Sequence, residues 1–203
     1  MPVHDRTSFE SLYTGQPRWE IGRPQKALLD VVDQITGSIL DSGCGTGENA
    51  LFFAKRGCKV TGIDFLAEPI TLAKQKASER ELTATFLVMD ALALKDLPDV
   101  FDTVIDSGLF HVFGDEDRRR YVDGLASVLK PGGKFFLLCF SDEEPGDQGP
   151  RRVSRKEIED AFAEGWVVES IEPSWYEVRP DPKDASFAEG GPKALFVVAR
   201  RTG

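Results

Sequence analysis

The chain is poor in cysteine, short of basic residues and without a long apolar run, and each shortage removes a class of function. Cys44, Cys58 and Cys139 are its three cysteines. They form no CxxC pair, and an odd number with no export signal argues against a disulfide framework. Cys58 and Cys139 lie in strand-like runs and read as small buried hydrophobes. No metal site is expected. Only 25 basic residues stand against 34 acidic ones, a formal charge of −9. Such a balance repels a phosphate backbone, so no nucleic-acid partner is expected. The opening "MPVHDRTSFE" has no basic-then-apolar order, and nothing approaches the roughly 20 apolar residues of a membrane helix. The expectation is a cytoplasmic protein with no membrane partner. No internal repeat or low-complexity tract interrupts the 203 residues. With 41% hydrophobic content they can bury one core, which predicts one domain, monomeric or weakly homodimeric.

What is present is an alternation of apolar strands with amphipathic helices. Residues 9–23 are aromatic, polar and aperiodic, and read as part of an N-terminal arm over 1–23 ahead of a single domain over 24–203. Pro24 is placed to open a helix running to Gly37, since a proline at the first helical position gives up no hydrogen bond. "SIL" before Asp41 is a strand, residues 48–56 a helix stopped by Gly57, and "CKVTGI" a second strand. A helix over 67–80, the strand "ATFLVM" and the strand "FDTVI" follow. Asp115 is a candidate N-cap for a helix carrying Tyr121, Val122, Leu125, Val128 and Leu129, ending at "KPGG". "KFFLLCF" is apolar throughout, as in a strand covered on both faces. Asp142, Glu143 and Glu144 read as a solvated loop, and Ser154 with Glu157 as a capping box. The strands "WVVESI" and "ALFVVA", joined by a Pro/Gly-broken stretch from Pro173 to Pro192, complete the pattern. Strands alternating with helices predict an α/β fold with a mostly parallel sheet, helices on both faces and an antiparallel ending.

The run from Leu40 to Asp64, "LDSGCGTGENALFFAKRGCKVTGID", sets Gly43, Gly45 and Gly47 after the first strand. At the carboxyl edge of an open parallel sheet, glycines let a ligand approach the main chain. Asp64 ends the next strand, where a carboxylate can accept both hydroxyls of a ribose. The dinucleotide fingerprint would continue to a third glycine at the place held by Glu48, whose charge opposes a pyrophosphate at a helix start. Asp41 adds a second negative charge and suits a ligand bearing ammonium and sulfonium groups, as S-adenosylmethionine (SAM) does.

With "VMDAL" at 88–92, "FDTVIDSGLFHVF" at 101–113 and "LKPGGKFFLLCF" at 129–140, the chain resembles class I SAM-dependent methyltransferases. The resemblance implies a Rossmann-like seven-stranded sheet in the order 3214576 with strand 7 antiparallel. Within that superfamily, "PRWEIGRPQ" at 17–25 and "GPRRVSRKEIEDAF" at 149–162 resemble the thiol, halide and thiopurine methyltransferase group. By that resemblance Gly43, Cys44, Gly45 and Gly47 line the methionine and sugar portion, with Asp41 near the amino group. Asp64 holds the ribose, Phe65 and Leu66 flank the adenine, and Asp90 and Ala91 meet its edge. Asp106 and Ser107 lie beside the methionine end, and Arg18, Trp19 and Arg23 belong to the arm that closes over SAM.

The implied function is methyl transfer to a small-molecule acceptor, a thiol or other soft nucleophile first, a hydroxyl or ring nitrogen of a small aromatic compound second. The expected pocket combines Tyr13 and Trp19 of the arm with Phe110, His111, Phe113 and Phe140, and with the 173–192 loop as a further candidate. His111 and Tyr13 are the catalytic candidates, His111 as a base for oxygen or nitrogen acceptors because an imidazole with a pKa of about 6.5 can take a proton near neutrality. An NAD-binding oxidoreductase on a related sheet, and a module that holds SAM without turnover, are the alternatives.

Overall fold

The computed structural model describes Tyr13, Gly15, residues 17–180, Phe187 and residues 191–203. Most of the arm over 9–16 and most of the 181–190 stretch lie outside the described residues. Seven strands form one sheet: β1 Ser38–Ser42, β2 Lys59–Asp64, β3 Thr85–Val88, β4 Phe101–Ser107, β5 Leu129–Phe140, β6 Trp166–Trp175 and β7 Lys193–Arg201. Their order is β3-β2-β1-β4-β5-β7-β6, and β7 runs antiparallel to both β5 and β6. Among the described residues the α-helices with both ends defined are α1 Lys26–Asp30, α2 Glu48–Lys55, α3 Ala67–Glu79, α4 Asp115–Val128 and α5 Arg155–Ala161. Among the described residues no helix is long and apolar enough to cross a membrane.

The alternation of β5 divides the core in two. Phe135, Leu137 and Cys139 pack with Tyr121, Leu125 and Val128 of α4 and with Ile158 of α5. Phe136, Leu138 and Phe140 pack with Leu28 of α1, Phe53 of α2 and Ile70 of α3. Each large side chain taken fully from water contributes about 1.5–3 kcal/mol, so both faces of a central strand must be apolar and "KFFLLCF" reads without polar breaks. The Ser154–Glu157 capping box forms as expected, with both reciprocal bonds present.

Five local expectations are corrected. Pro24 opens no long helix: Gln25 is the N-cap of the five-residue α1, and a separate 3-10 turn covers Val32–Gln34. Gln25 instead bonds both backbone groups of Glu177, and the Glu177 carboxylate accepts from Lys26 N at 2.7 Å. Asp115 is not an N-cap. Gly114 holds that position, and Asp115, Glu116 and Asp117 fill the first turn of α4, where acidic side chains meet the positive end of the helix dipole. "KPGG" does not follow the helix as a free turn but lies inside β5, absorbed by a register shift between Phe101 and Thr103 of the neighbouring strand. Glu144 is not solvated: it is buried and accepts from Lys193 N at 2.7 Å. β6 also runs on through Pro173 to Trp175. It is an edge strand, where a missing ladder donor is tolerated.

Candidate active site

A cavity of about 620 Å³ opens at the carboxyl ends of β1 to β5. Gly43, Cys44, Gly45, Asp64, Phe65, Met89, Asp90 and Ala91 line one side of it. Ser107, His111, Phe113, Phe140, Tyr176 and Phe187 stand on the other, and Tyr13, Arg18, Trp19 and Arg23 of the arm complete the wall. Two turn glycines do different work. An added Cβ at Gly45 would lie 3.1 Å from the Tyr13 hydroxyl and 3.2 Å from Glu20 Oε1, so the arm rests on the turn. At Gly47, with φ +83°, a Cβ would meet the Phe86 ring at 2.9 Å and Ala73 at 3.0 Å. Gly47 therefore serves helix-to-sheet packing, and it is not on the cavity wall.

The aspartates also separate by role. Asp64 is on the wall, its Oδ2 accepting from Gly45 N at 3.1 Å and its Oδ1 from Leu66 N at 3.0 Å. Leu66 itself is turned into the core. Asp90 is on the wall too, its Oδ1 accepting from Leu92 N at 2.9 Å to cap the 3-10 turn that begins at Ala91. Asp41 and Asp106 do not reach the cavity. Asp41 Oδ2 accepts from Ala50 N at 3.1 Å in the first turn of α2, where helix N–H groups lack intrahelical partners. Asp106 accepts from Leu109 N at 2.8 Å, from Phe110 N and from the Tyr121 hydroxyl at 3.0 Å, and so ties the segment that carries His111 to the end of β4. Phe110, expected in the pocket, lies beneath it against Phe162, with the Arg118 guanidinium 4.5 Å from its ring centre.

Burial, opposed by these hydrogen bonds, pushes the carboxyls of Asp41 and Asp106 up to about 7. Both groups therefore take up a proton on folding between the ordinary aspartate pKa of about 3.9 and 7. Their contribution to stability is complete below that window and is lost as pH rises through 7. Thermal melts between pH 4.5 and 7.5 should show a decline that is shallower in Asp41→Asn. Parallel curves would show that Asp41 does not titrate in this range.

The arm is tied down by long-range contacts. Arg179 N donates to Arg18 O at 2.8 Å, and Arg23 forks onto the Glu177 carboxylate at 2.9 and 2.7 Å. Trp19 Nε1 donates to the Tyr13 hydroxyl at 3.4 Å. Glu20 accepts from Thr46 Oγ1 in a short contact, and Lys76 Nζ stands 3.8 Å from Glu20 and 2.8 Å from Glu48. Tyr176 and Phe187 lie in the 173–192 stretch expected at the pocket, whereas Glu20 escapes sequence reasoning. Nothing local marks Glu20, though it follows Trp19 within the arm motif, and Tyr176 reaches the wall by hydrogen-bonding Ser107 O at 3.0 Å across the sheet. Among the described residues no group of three His, Cys, Asp or Glu side chains is placed to hold a metal ion.

Glu20, Glu48, Asp64, Asp90 and Asp117 face Arg18 and Arg23 around the cavity. That acidic excess fits a ligand carrying cationic groups and sugar hydroxyls. Residues 39–133 match a family model described as a methyltransferase domain. Over 196 residues the chain is 35% identical to 2-heptyl-1-hydroxyquinolin-4(1H)-one methyltransferase of Mycobacteroides abscessus, covering 90% of this chain and 85% of the relative. "Probable thiol methyltransferase 2" of Arabidopsis thaliana is 26% identical over 156 residues, 74% of this chain and 68% of that one. A solved structure concerned with conversion of a disulfide bond into a thioacetal group during echinomycin biosynthesis superposes with a TM-score of 0.83 at 34% identity, covering 98% of this chain and 93% of the other. This chain belongs to the class I SAM-dependent methyltransferases, and S-adenosylmethionine is its cofactor.

Proposed function

We propose that this methyltransferase acts on a small, largely apolar molecule and methylates a soft heteroatom, a thiol first. The observation that carries the reading is the half of the cavity away from the glycine turn, walled by Phe113, Phe140, Tyr176, Phe187 and the His111 ring. Aromatic walls bury a compact apolar body and exclude water from the nucleophile. In this reading the Gly43–Gly45 turn holds the methionine and sugar portion of SAM, Asp64 the ribose hydroxyls, and Phe65, Asp90 and Ala91 the adenine. Asp41, Gly47, Leu66 and Asp106 support these groups from behind. SAM supplies a methyl group on a sulfonium that departs as a neutral thioether, so the protein's part is to align and desolvate the acceptor, worth up to about 7–11 kcal/mol in well-ordered systems. The arm over 1–23 acts as the lid, latched at Glu20 on Thr46.

Two relatives support sulfur, one named for a thiol and one concerned with a disulfide. A second reading, an acidic oxygen on a heteroaromatic ring, is favoured by the hydroxyquinolinone named for the M. abscessus relative. Release of S-adenosylhomocysteine should be measured across aliphatic thiols, aromatic thiols, phenols and N-hydroxyquinolinones. Aromatic thiols are expected to turn over fastest. Turnover confined to the oxygen acceptors would replace the first reading with the second.

A further inference from the structure

Asp41 was expected near the amino group of SAM, but its carboxylate lies beneath the glycine turn, accepting from Ala50 N at 3.1 Å. Glu20 brings a carboxylate to the cavity face of the same turn. It is on the cavity wall, its side chain is only 13% exposed, and its Oε1 stands 3.2 Å from where a Cβ on Gly45 would be. The backbone that presents it is fixed on both sides. Glu20 N donates to Pro17 O at 3.0 Å, Arg179 N to Arg18 O at 2.8 Å, and Arg23 forks onto Glu177. An acceptor already held in place and largely out of water loses little freedom when a ligand binds it.

The two oxygens of Glu20 differ in what they hold. Oε2 accepts from Thr46 Oγ1 and is 3.8 Å from Lys76 Nζ, whereas Oε1 has Thr46 N at 3.4 Å, a long bond for an amide donor. A carboxylate offers about four acceptor positions, so Oε1 retains capacity. Lys76 stands nearer to Glu48, at 2.8 Å, and Arg80 forks onto Glu48 at 2.9 Å, which makes Glu48 the better neutralised of the two. Glu20 is also close enough to Asp64 for their charges to interact: burial first, and the Glu20 charge after it, push the Asp64 carboxyl up. Like charges so placed at a glycine turn are relieved by a cation brought beside them.

We propose that Glu20 is the acceptor for the α-ammonium of SAM, and that the arm closes in response to that charge. Glu20 belongs to the arm and the turn belongs to the sheet, so a cation bound between arm and turn favours the closed arrangement by its own interaction energy. The amino-acid end of the cofactor thereby holds down the lid that shelters its methyl end. A nucleoside without the charged tail can fill the adenine and ribose positions and still leave the arm unlatched. The inference rests on the placing of the methionine portion at Gly43–Gly45 and on the lid reading above.

The test compares S-adenosylhomocysteine with its deaminated analogue, which lacks only the ammonium, by titration calorimetry. The parent should prefer S-adenosylhomocysteine by about tenfold or more. Glu20→Gln keeps an acceptor for Thr46 but has no charge, and its preference should fall to about threefold or less. Thr46→Val removes the latch partner and should weaken both ligands alike, leaving the preference in place. A parent without the preference, or Glu20→Gln with all of it, would overturn the inference. So would a preference lost in Thr46→Val as fully as in Glu20→Gln, which would assign the discrimination to the latch. Hydrogen exchange at residues 17–23 reads the closure: it should slow with S-adenosylhomocysteine and much less with the analogue. Equal slowing would overturn the coupling of closure to charge. Slowing with neither ligand would sink the lid reading instead, while the affinity ratio still decides the place of Glu20.

Discussion

Asp64→Ala is expected to weaken SAM binding by about 10- to 150-fold, or about 1.5–3 kcal/mol. Two hydroxyls of the ribose would lose a charged acceptor in a site where Asp64 is only 8% exposed, and hydrogen bonds to ionised groups are the stronger kind. The substitution also frees Gly45 N and Leu66 N, which Asp64 binds at 3.1 and 3.0 Å, so part of the loss could be a loosened turn. Asp64→Asn separates the two effects. Its amide oxygen can serve only one of Gly45 N and Leu66 N and its NH2 opposes the other, so its drop in melting temperature measures the share of the loss that belongs to the turn. Calorimetry reads both, and an unchanged dissociation constant in Asp64→Ala would remove Asp64 from the cofactor site.

Gly47→Val should destabilise the fold by about 2–5 kcal/mol, a cost of about 1–2 for a side chain in the left-handed region plus about 1–3 for overpacking. The added carbon meets Phe86 and Ala73 at 2.9 and 3.0 Å, and both are held by the sheet and by α3. In a chain of this length that is roughly 5–15 °C of melting temperature. Gly57→Val is the control. Gly57 has φ +87° with nothing within 4 Å of an added Cβ, so it carries the strain alone, about 1–2 kcal/mol. Equal losses at the two positions would mean that the α3 and β3 contacts yield freely and that Gly47 is required only for its backbone angle.

Hydrophobic period and glycine placement were enough to read the strands and a mostly parallel sheet, because a buried parallel strand must be apolar and a helix beside it must carry one apolar face, while the strand order came from the family resemblance. Period says nothing about partners far along the chain. The helix expected from Pro24 is cut short because Gln25 and Lys26 bond to Glu177, more than 150 residues away. The same limit applies to the site. Asp41, Asp64, Asp90 and Asp106 are one residue type at the ends of strands, and only geometry shows that Asp64 and Asp90 face the cavity while Asp41 and Asp106 satisfy backbone N–H groups beneath it. His111 was legible as a pocket residue, but its Nδ1 accepts from Phe140 N at 3.0 Å, a contact that no local pattern reveals.

The insertion of β7 between β5 and β6 also fixes an order of events during synthesis. Among the described residues β6 pairs with no strand but β7, and β5 has its outer edge covered by β7 alone. Until residues 193–201 have been made, β6 has nothing to join and the β5 edge is bare. Such distant antiparallel pairing is slow, because a long loop must close before any bond is gained. Tyr176, whose backbone N–H is held by Pro192 O at 2.9 Å, reaches the cavity only after that closure. The nascent chain can therefore shape the glycine turn early, while the aromatic wall that receives the acceptor is completed last.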